Sequence, residues 1–373
     1  MKNGSCPISG TVYSKIGGQA VLEGVMMRNE DDYAVAVRRA DGEIVVKKDV
    51  YHGIINNKTV YKIPVIRGVL SFIDSLVLGL STLNFSSDIY IASEEEKEKA
   101  EAEKAATDID GENKAKENEH SNSGTRADGE NGNAEKRESD GKSDNGRDKE
   151  TGAEASNTEK RSAKDAALSA GVTILALILA LGLFMVLPYF ASLLFKPLVG
   201  EGIALSLIEG LIRILIFVGY IRVISLMEDI RRVFMYHGAE HKCINCIEAG
   251  YPLTVENVRQ ASREHRRCGT SFLLYVMVIS IIFFAFIQTD VRWIKIVMRL
   301  VLIPAIAGVS YEFIRLAGRS EGALIKLISK PGLWLQKLTT REPDDEMIKV
   351  GIRSVEEVFD WKAFLKENFP DDK

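Results

Sequence analysis

Two stretches of the chain carry no charge: thirty residues from Ala166 to Phe195 and twenty from Thr270 to Thr289. A run of about 20 apolar residues matches the hydrocarbon thickness of a bilayer, so both are read as membrane spans. Two further runs, Ile203 to Met227 and Trp293 to Ala317, are long and mostly apolar but hold charges. The first contains Glu209, Arg213 and Arg222; the second contains Lys295, Arg299, Glu312 and Arg315. Charges inside spans face protein or water rather than lipid, and both runs are read as spans on that basis. Glu209 and Arg213 are four residues apart and are expected to pair on one helix face.

The region before these spans has a different pattern. "YAVAVRRADGEIVVKK" shows two β-rich runs joined at Asp41-Gly42, which predicts a hairpin. It follows "GGQAVLEGVMMR", Gly17 to Arg28, whose paired glycines suit positive φ or a close backbone approach. This pattern predicts a small β-rich domain over 1–64. Over 65–93, apolar residues at 69, 70, 72, 73, 76, 77, 80 and 83 repeat at helical spacing, with Ser71, Asp74, Ser75 and Ser81 between them. That amphipathicity favours an interfacial or re-entrant helix over a span. After the spans, Pro331-Gly332 is expected to break the chain, and Met347 to Phe359 reads as a short docking helix in a tail over 318–373.

Charge sets the orientation. The loop 228–269 holds seven basic residues, Arg231, Arg232, Lys242, Arg259, Arg263, Arg266 and Arg267. The connection after the first span has only Lys196, and the one after the third only Arg292. The positive-inside rule therefore predicts a cytoplasmic 228–269 loop and, with four spans over 166–317, two cytoplasmic termini. Residues 94–164 hold 21 acidic and 14 basic side chains, with Ile109 the one large apolar residue. Such a segment buries too little apolar surface to offset ordering entropy, and 94–165 is expected to be a disordered acidic linker. The chain carries −4 overall, so the rest is mildly basic and suited to an anionic inner leaflet. Membrane lipids are the expected partners; no nucleic-acid partner is expected, and nothing sets the oligomeric state.

The candidate chemistry sits in "YHGAEHKCINCIEAG", Tyr236 to Gly250. His237, Glu240 and His241 form H-x-x-E-H, which on a helix puts two imidazoles one turn apart around a common ion, with a carboxylate beside them. A catalytic zinc needs a third ligand and an open position. Glu248, Glu256, His265, Cys268 and Glu312 are candidates, the last near the cytoplasmic end of its span, where Arg315 is its alternative partner. A competing pattern joins Cys243, Cys246, His265 and Cys268 as C-x2-C-x18-H-x2-C, a closed structural site. A third reading has no metal, with the cysteines as small buried groups.

The blocks "GGQAVLEGVMMR", "YHGAEHK", "HRRCGTSFL", "SYEFIRL" and "PGLWLQKLTTREPDD" together resemble the bacterial YqhQ family of uncharacterised membrane proteins, over nearly all the chain outside the linker. The resemblance implies a metal-dependent enzyme, with Glu23, His237, Glu240, His241, His265, Cys268 and Glu312 as the matched positions. Cys243 and Cys246 fall outside it, which weakens the four-ligand alternative.

The expected fold class is an α-helical polytopic membrane protein with about four transmembrane helices, a small N-terminal α+β cytoplasmic domain and a disordered linker. The expected function is a zinc or other divalent-metal enzyme of hydrolytic type at the cytoplasmic face of the bacterial inner membrane. Glu240 is the catalytic residue, ligands come from His237, His241, His265, Cys268 and Glu312, and the substrate is lipid-linked or a membrane protein. The alternative is a non-enzymatic scaffold, assembly or regulatory factor; a transporter lacks paired Gly- or Pro-broken spans.

Overall fold

The structure is a computed structural model that describes residues 12–55, 59–120, 171–287, 289, 291–319 and 322–370. It divides into two units, one drawn from 1–98 and 186–373, the other from 99–185. Within the larger unit, β1 (Gly17–Val21), β2 (Gly24–Asn29), β3 (Asp32–Arg38) and β4 (Ile44–Val50) form an antiparallel sheet in chain order. The Asp41-Gly42 hairpin is present: Arg38 pairs with Ile44, Gly42 has φ +92°, and Asp41 accepts from the Glu43 amide at 2.9 Å. The β1–β2 turn places Glu23 at φ +49°, where a non-glycine residue is uncommon.

Side chains alternate across a strand, and here both faces are covered. Val21, Met26, Tyr33, Val35 and Val37 pack with Leu78 of α1 (Ile66–His120). Val25, Met27, Ala34 and Ala36 pack against α4 (Glu228–Glu248) and α9 (Asp345–Val358), through Ala239, Cys243, Ile247, Met347 and Val350. The expected docking helix is thus α9. Asp344 caps it by accepting from the Met347 amide at 2.8 Å, and Ser354 donates to the Ala34 carbonyl at 3.0 Å.

The remaining helices are α2 (Gly171–Val199), α3 (Ile203–Ile224), α5 (Val255–Gln260), α6 (Gly269–Ala285), α7 (Arg292–Arg319), α8 (Ala323–Thr339) and α10 (Trp361–Asn368). Among the described residues, four helices are long and apolar enough to cross a membrane: Ile66–Ala102, Gly171–Val199, Ile203–Ile224 and Trp293–Ala317. Three were expected from the sequence. The fourth is α1, while the expected 270–289 span is the 17-residue helix α6. In α3, Glu209 bonds Arg213 at 2.9 Å as expected, and Arg299 of α7 adds a two-pronged contact at 2.6 and 2.7 Å.

Two expectations are corrected. The acidic segment does not begin as coil: α1 continues to His120, because the Glu, Lys and Ala of 94–106 are strong helix formers with opposite charges at helical spacing. The rest of that segment, 121–165, lies outside the described residues. Pro331 and Gly332 also do not break the chain, since α8 runs through both. Proline's φ is compatible with a helix, and Gly332 lies so close to α6 that a Cβ there would meet Ser271 Oγ at 2.7 Å.

Candidate functional site

Helix α4 carries the site. Its start is fixed by Glu23, which is buried and bound by Nε and Nη2 of Arg232, by Tyr236 at 3.1 Å and by Arg38 at 3.5 Å. Burial raises the Glu23 pKa, but hydrogen bonds from Arg232 outweigh it and hold the carboxyl low. The next turns pin the loop that follows α5. Lys242 Nζ donates to the carbonyls of Arg259 and Ala261 at 2.9 and 3.0 Å. Asn245 Nδ2 donates to those of Ser262 and Glu264 at 2.7 and 3.0 Å. This loop delivers the Arg263 carbonyl to His241.

The two histidines of H-x-x-E-H meet edge to face one turn apart, with ring centroids 4.4 Å from each other. Nδ1 of each meets a carbonyl: His237 donates to Thr339 at 2.9 Å and His241 to Arg263 at 2.6 Å. A carbonyl only accepts, so both Nδ1 atoms carry hydrogen, which leaves the two Nε2 atoms as the positions that could ligate once deprotonated. His237 Nε2 lies 3.1 Å from Cys268 Sγ. His241 Nε2 is fully buried and has no hydrogen-bond partner among the described residues. One ligand atom from each of His237, His241 and Cys268 lies within 4.8 Å of the other two. Cys268 is also the N-cap of α6, its sulfur accepting from the Thr270 amide at 3.4 Å.

The electrostatics follow from burial and proximity. Burial opposes charge on His237, but the neighbouring Cys268 sulfur outweighs it and raises the imidazole to about 9. Burial would raise the Cys268 thiol; His237 and His241 together pull it well below its usual value. Burial pushes the Glu240 carboxyl up, against the pull of the two histidines. Glu240 is enclosed by β1, where the Gly18 amide donates to it. A Cβ on Gly18 would meet Glu240 Cγ at 2.9 Å and the Met26 carbonyl at 2.7 Å, so the close approach expected of one glycine is real.

The other expected ligands are not brought to this group. The His265 ring stands 5.5 Å from that of His241, but its Nε2 is engaged elsewhere, 3.1 Å from Arg267 and 3.7 Å from Glu248. Gln336 of α8 holds its backbone, accepting from the His265 amide at 2.8 Å and donating to its carbonyl at 2.7 Å. Glu312 is bound by Nε and Nη2 of Arg67, from α1, rather than by Arg315 or the histidines. Glu248 accepts from the Ser14 amide and hydroxyl at 3.0 and 2.7 Å and from Arg267. Cys243 abuts Gly351, and Cys246 faces the carbonyls of Tyr251 and Pro252, so the four-ligand ribbon is not assembled. Gln336 and the carbonyls of Arg263 and Thr339 were not anticipated; backbone acceptors leave no mark in sequence.

A family model described as "Protein of unknown function (DUF1385)" matches residues 63–361. The "Uncharacterized protein YqhQ" of Bacillus subtilis (strain 168) is 33% identical over 358 residues, covering 94% of each chain. The chain belongs to the YqhQ family. No solved structure matches it. Since the family match runs through residues 228–268, it takes in the whole His/Cys group of this YqhQ-family member.

The Glu248 cluster predicts a pH dependence. Burial raises the Glu248 pKa, but hydrogen bonds from His265 and Arg267 outweigh it and bring the carboxyl to about 2 from 4.5. Its contribution is present above pH 4.5 and is lost as pH falls towards 2. Burial lowers His265 to about 4 from 6.5, so between those values the unfolded chain takes up a proton that the folded chain refuses. Both effects destabilise on acidification, Glu248 by about 3 kcal/mol at most. Glu240 acts with the opposite sign above pH 4.5, because its raised carboxyl takes up a proton first in the folded chain. The melting temperature in detergent should therefore fall from pH 4.5 to about pH 3.5, and a rise in that window would contradict the Glu248 cluster's role.

Proposed function

We propose that the protein is a multi-pass membrane metalloenzyme of hydrolytic type, with its site at the cytoplasmic face of the bacterial cell membrane. One observation carries the reading. The buried His241 Nε2 has no partner of good hydrogen-bond geometry among the described residues and belongs with His237 and Cys268 to a group whose ligand atoms lie within 4.8 Å. An acceptor nitrogen buried without a partner is costly, and a cation removes that cost. The donor set fits zinc: two imidazoles whose Nδ1–H groups are held by carbonyls, as in ordinary zinc sites, and one thiolate. The proton that Cys268 and His237 share is one that a divalent ion would displace.

A bound zinc ion acts as a Lewis acid and makes water nucleophilic near neutral pH. His237, His241 and Cys268 would hold the ion. Glu240 lies on the same helix without sharing the ligand group. Its raised pKa suits a carboxyl that accepts a proton at Oε and returns it to a leaving group. The basic 228–269 loop favours a cytoplasmic site, and α2, α3, α6 and α7 as crossings leave both termini there. A site beside the inner leaflet favours a lipid-linked or membrane-protein substrate.

A second reading takes Cys268 as nucleophile and His237 as base, on the 3.1 Å contact and the helix N-terminus at the sulfur. It gives His241 only the part of helping to lower the thiol, and does not meet the cost of its buried Nε2. Elemental analysis of the full chain in detergent separates the two. About one zinc per chain is expected; none would defeat the metal reading. Glu240→Gln should retain the ion, and loss of it would make Glu240 a ligand instead.

A further inference from the structure

We propose that α1 lies on the lipid surface rather than crossing the bilayer, with Ile66, Ile73, Leu76, Val77, Leu80 and Leu83 set into the headgroup boundary of the leaflet facing the sheet. By length and composition, Ile66–Ala102 qualifies as a span. What α1 packs against decides otherwise. Asp74 accepts from the Ile54 amide at 2.8 Å and the Tyr61 hydroxyl at 2.7 Å. Leu78 enters the sheet core with Val21 and Tyr33, and Phe85 and Ile89 pack against that core. The Ser93 hydroxyl accepts from the Ala40 amide at 3.0 Å, and Glu96 pairs with Arg39. From residue 74 to residue 96, roughly 33 Å of helix lies along the sheet.

That sheet is open. In the order β1-β2-β3-β4, the first and last strands are edges, and β4 exposes Lys47, Lys48 and Asp49. Unpaired strand edges are not tolerated in hydrocarbon, where no water satisfies their amides and carbonyls. A helix fixed along such a sheet is therefore outside the hydrocarbon for the same length.

The face of α1 turned away from the sheet is apolar. At 100° per residue its six named side chains fall within an arc of about 120°, the width of an amphipathic stripe. Each is 38–52% exposed. The start of α1 identifies what covers them. Gly68 abuts Gly308 of α7, and Phe72 lies 5.5 Å from Phe272 in the first turn of α6. The stripe thus continues the apolar surface of two membrane helices where they reach the sheet side, and exposed Ile63, just before α1, adds to it. An interfacial helix buries its apolar face about 5–10 Å into the headgroup boundary.

This inference rests on reading α2, α3, α6 and α7 as crossings, and the test separates the two. The full chain, with Cys6→Ser, is labelled with an environment-sensitive fluorophore at Ile73→Cys, Leu80→Cys, Leu83→Cys or Val301→Cys; the other three cysteines are buried. Each is placed in phosphatidylcholine–phosphatidylglycerol vesicles carrying brominated lipids. Val301 is on the exposed face of α7, and strong quenching there reports insertion. The three α1 positions should all be quenched more by shallow than by deep bromines, about twofold, and equally to one another. Quenching that deepens from 73 to 83 would make α1 a span and overturn the proposal. Unquenched α1 labels with a Leu80→Cys cross-link between chains would assign the stripe to a second copy. An unquenched Val301 would remove the membrane reading itself.

Discussion

Replacing Glu209 by glutamine is expected to destabilise the protein by about 3–5 kcal/mol, the cost of stripping one partner from a buried ion cluster. Glu209 is the common partner of Arg213 and Arg299, and all three are at most 5% exposed. Two positive charges already share one negative charge there. The guanidiniums lean on Phe284, each 5.1 Å from the ring centroid, and Arg299 also lies over Tyr189. Aromatic faces recover only about 2 kcal/mol per desolvated cation. Without the carboxylate, two arginines would face each other among apolar helices. Thermal unfolding in detergent should show a large fall in melting temperature for Glu209→Gln. Replacing all three residues by leucine or methionine should recover most of it, because an apolar cluster leaves no orphaned charge. If the triple variant melts below the single one, the cluster contributes more than the account allows.

The same cluster shows what could be read in the sequence. The Glu209–Arg213 pair follows from spacing alone, but Arg299 is 90 positions away and no local rule points to it. Glu312 repeats the lesson: Arg315 is its neighbour by helical spacing, yet Arg67, 245 positions away, takes both oxygens. The Asp41-Gly42 hairpin and α9 were legible because turn chemistry and amphipathic period are local. The length of α1 was not. A change from apolar to charged composition at residue 94 signals a change of solvent, and a helix can pass through that change unbroken.

In the site, the period of H-x-x-E-H was sufficient to place His237 and His241 together. The same period argues against the ribbon. At about 100° per residue, Cys246 lies on the far side of the helix from the two histidines, towards the core it in fact joins. The third member was not legible, because His265 and Cys268 are three residues apart in one loop. The choice falls to Cys268 because Gln336 fixes the His265 backbone, Arg267 and Glu248 engage its ring nitrogen, and α6 begins at the sulfur. Two of those three causes come from residues remote in sequence or from where a helix starts.

If the group binds zinc as proposed, its affinity should respond to substitution in a pattern the two arrangements do not share. His241→Ala and Cys268→Ser each remove one of three converging donors, and each should cost more than the roughly 10–100-fold in affinity typical of losing an outer hydrogen-bond partner. Cys243→Ser with Cys246→Ser should leave affinity within about threefold, a loss well below that outer-partner range, since neither sulfur points at the group. Glu312→Gln should leave it unchanged, because that carboxylate is held by Arg67. His265→Ala should act only through the loop, below the effect of His241→Ala. Competition with a chromophoric chelator measures all five, with the melting temperature of each variant as the check on folding. If the cysteine pair loses the ion while His241→Ala keeps it, the metal belongs to a ribbon that this arrangement of side chains does not form. If every folded variant keeps it, the ion binds elsewhere, and the buried lone pair on His241 needs another explanation.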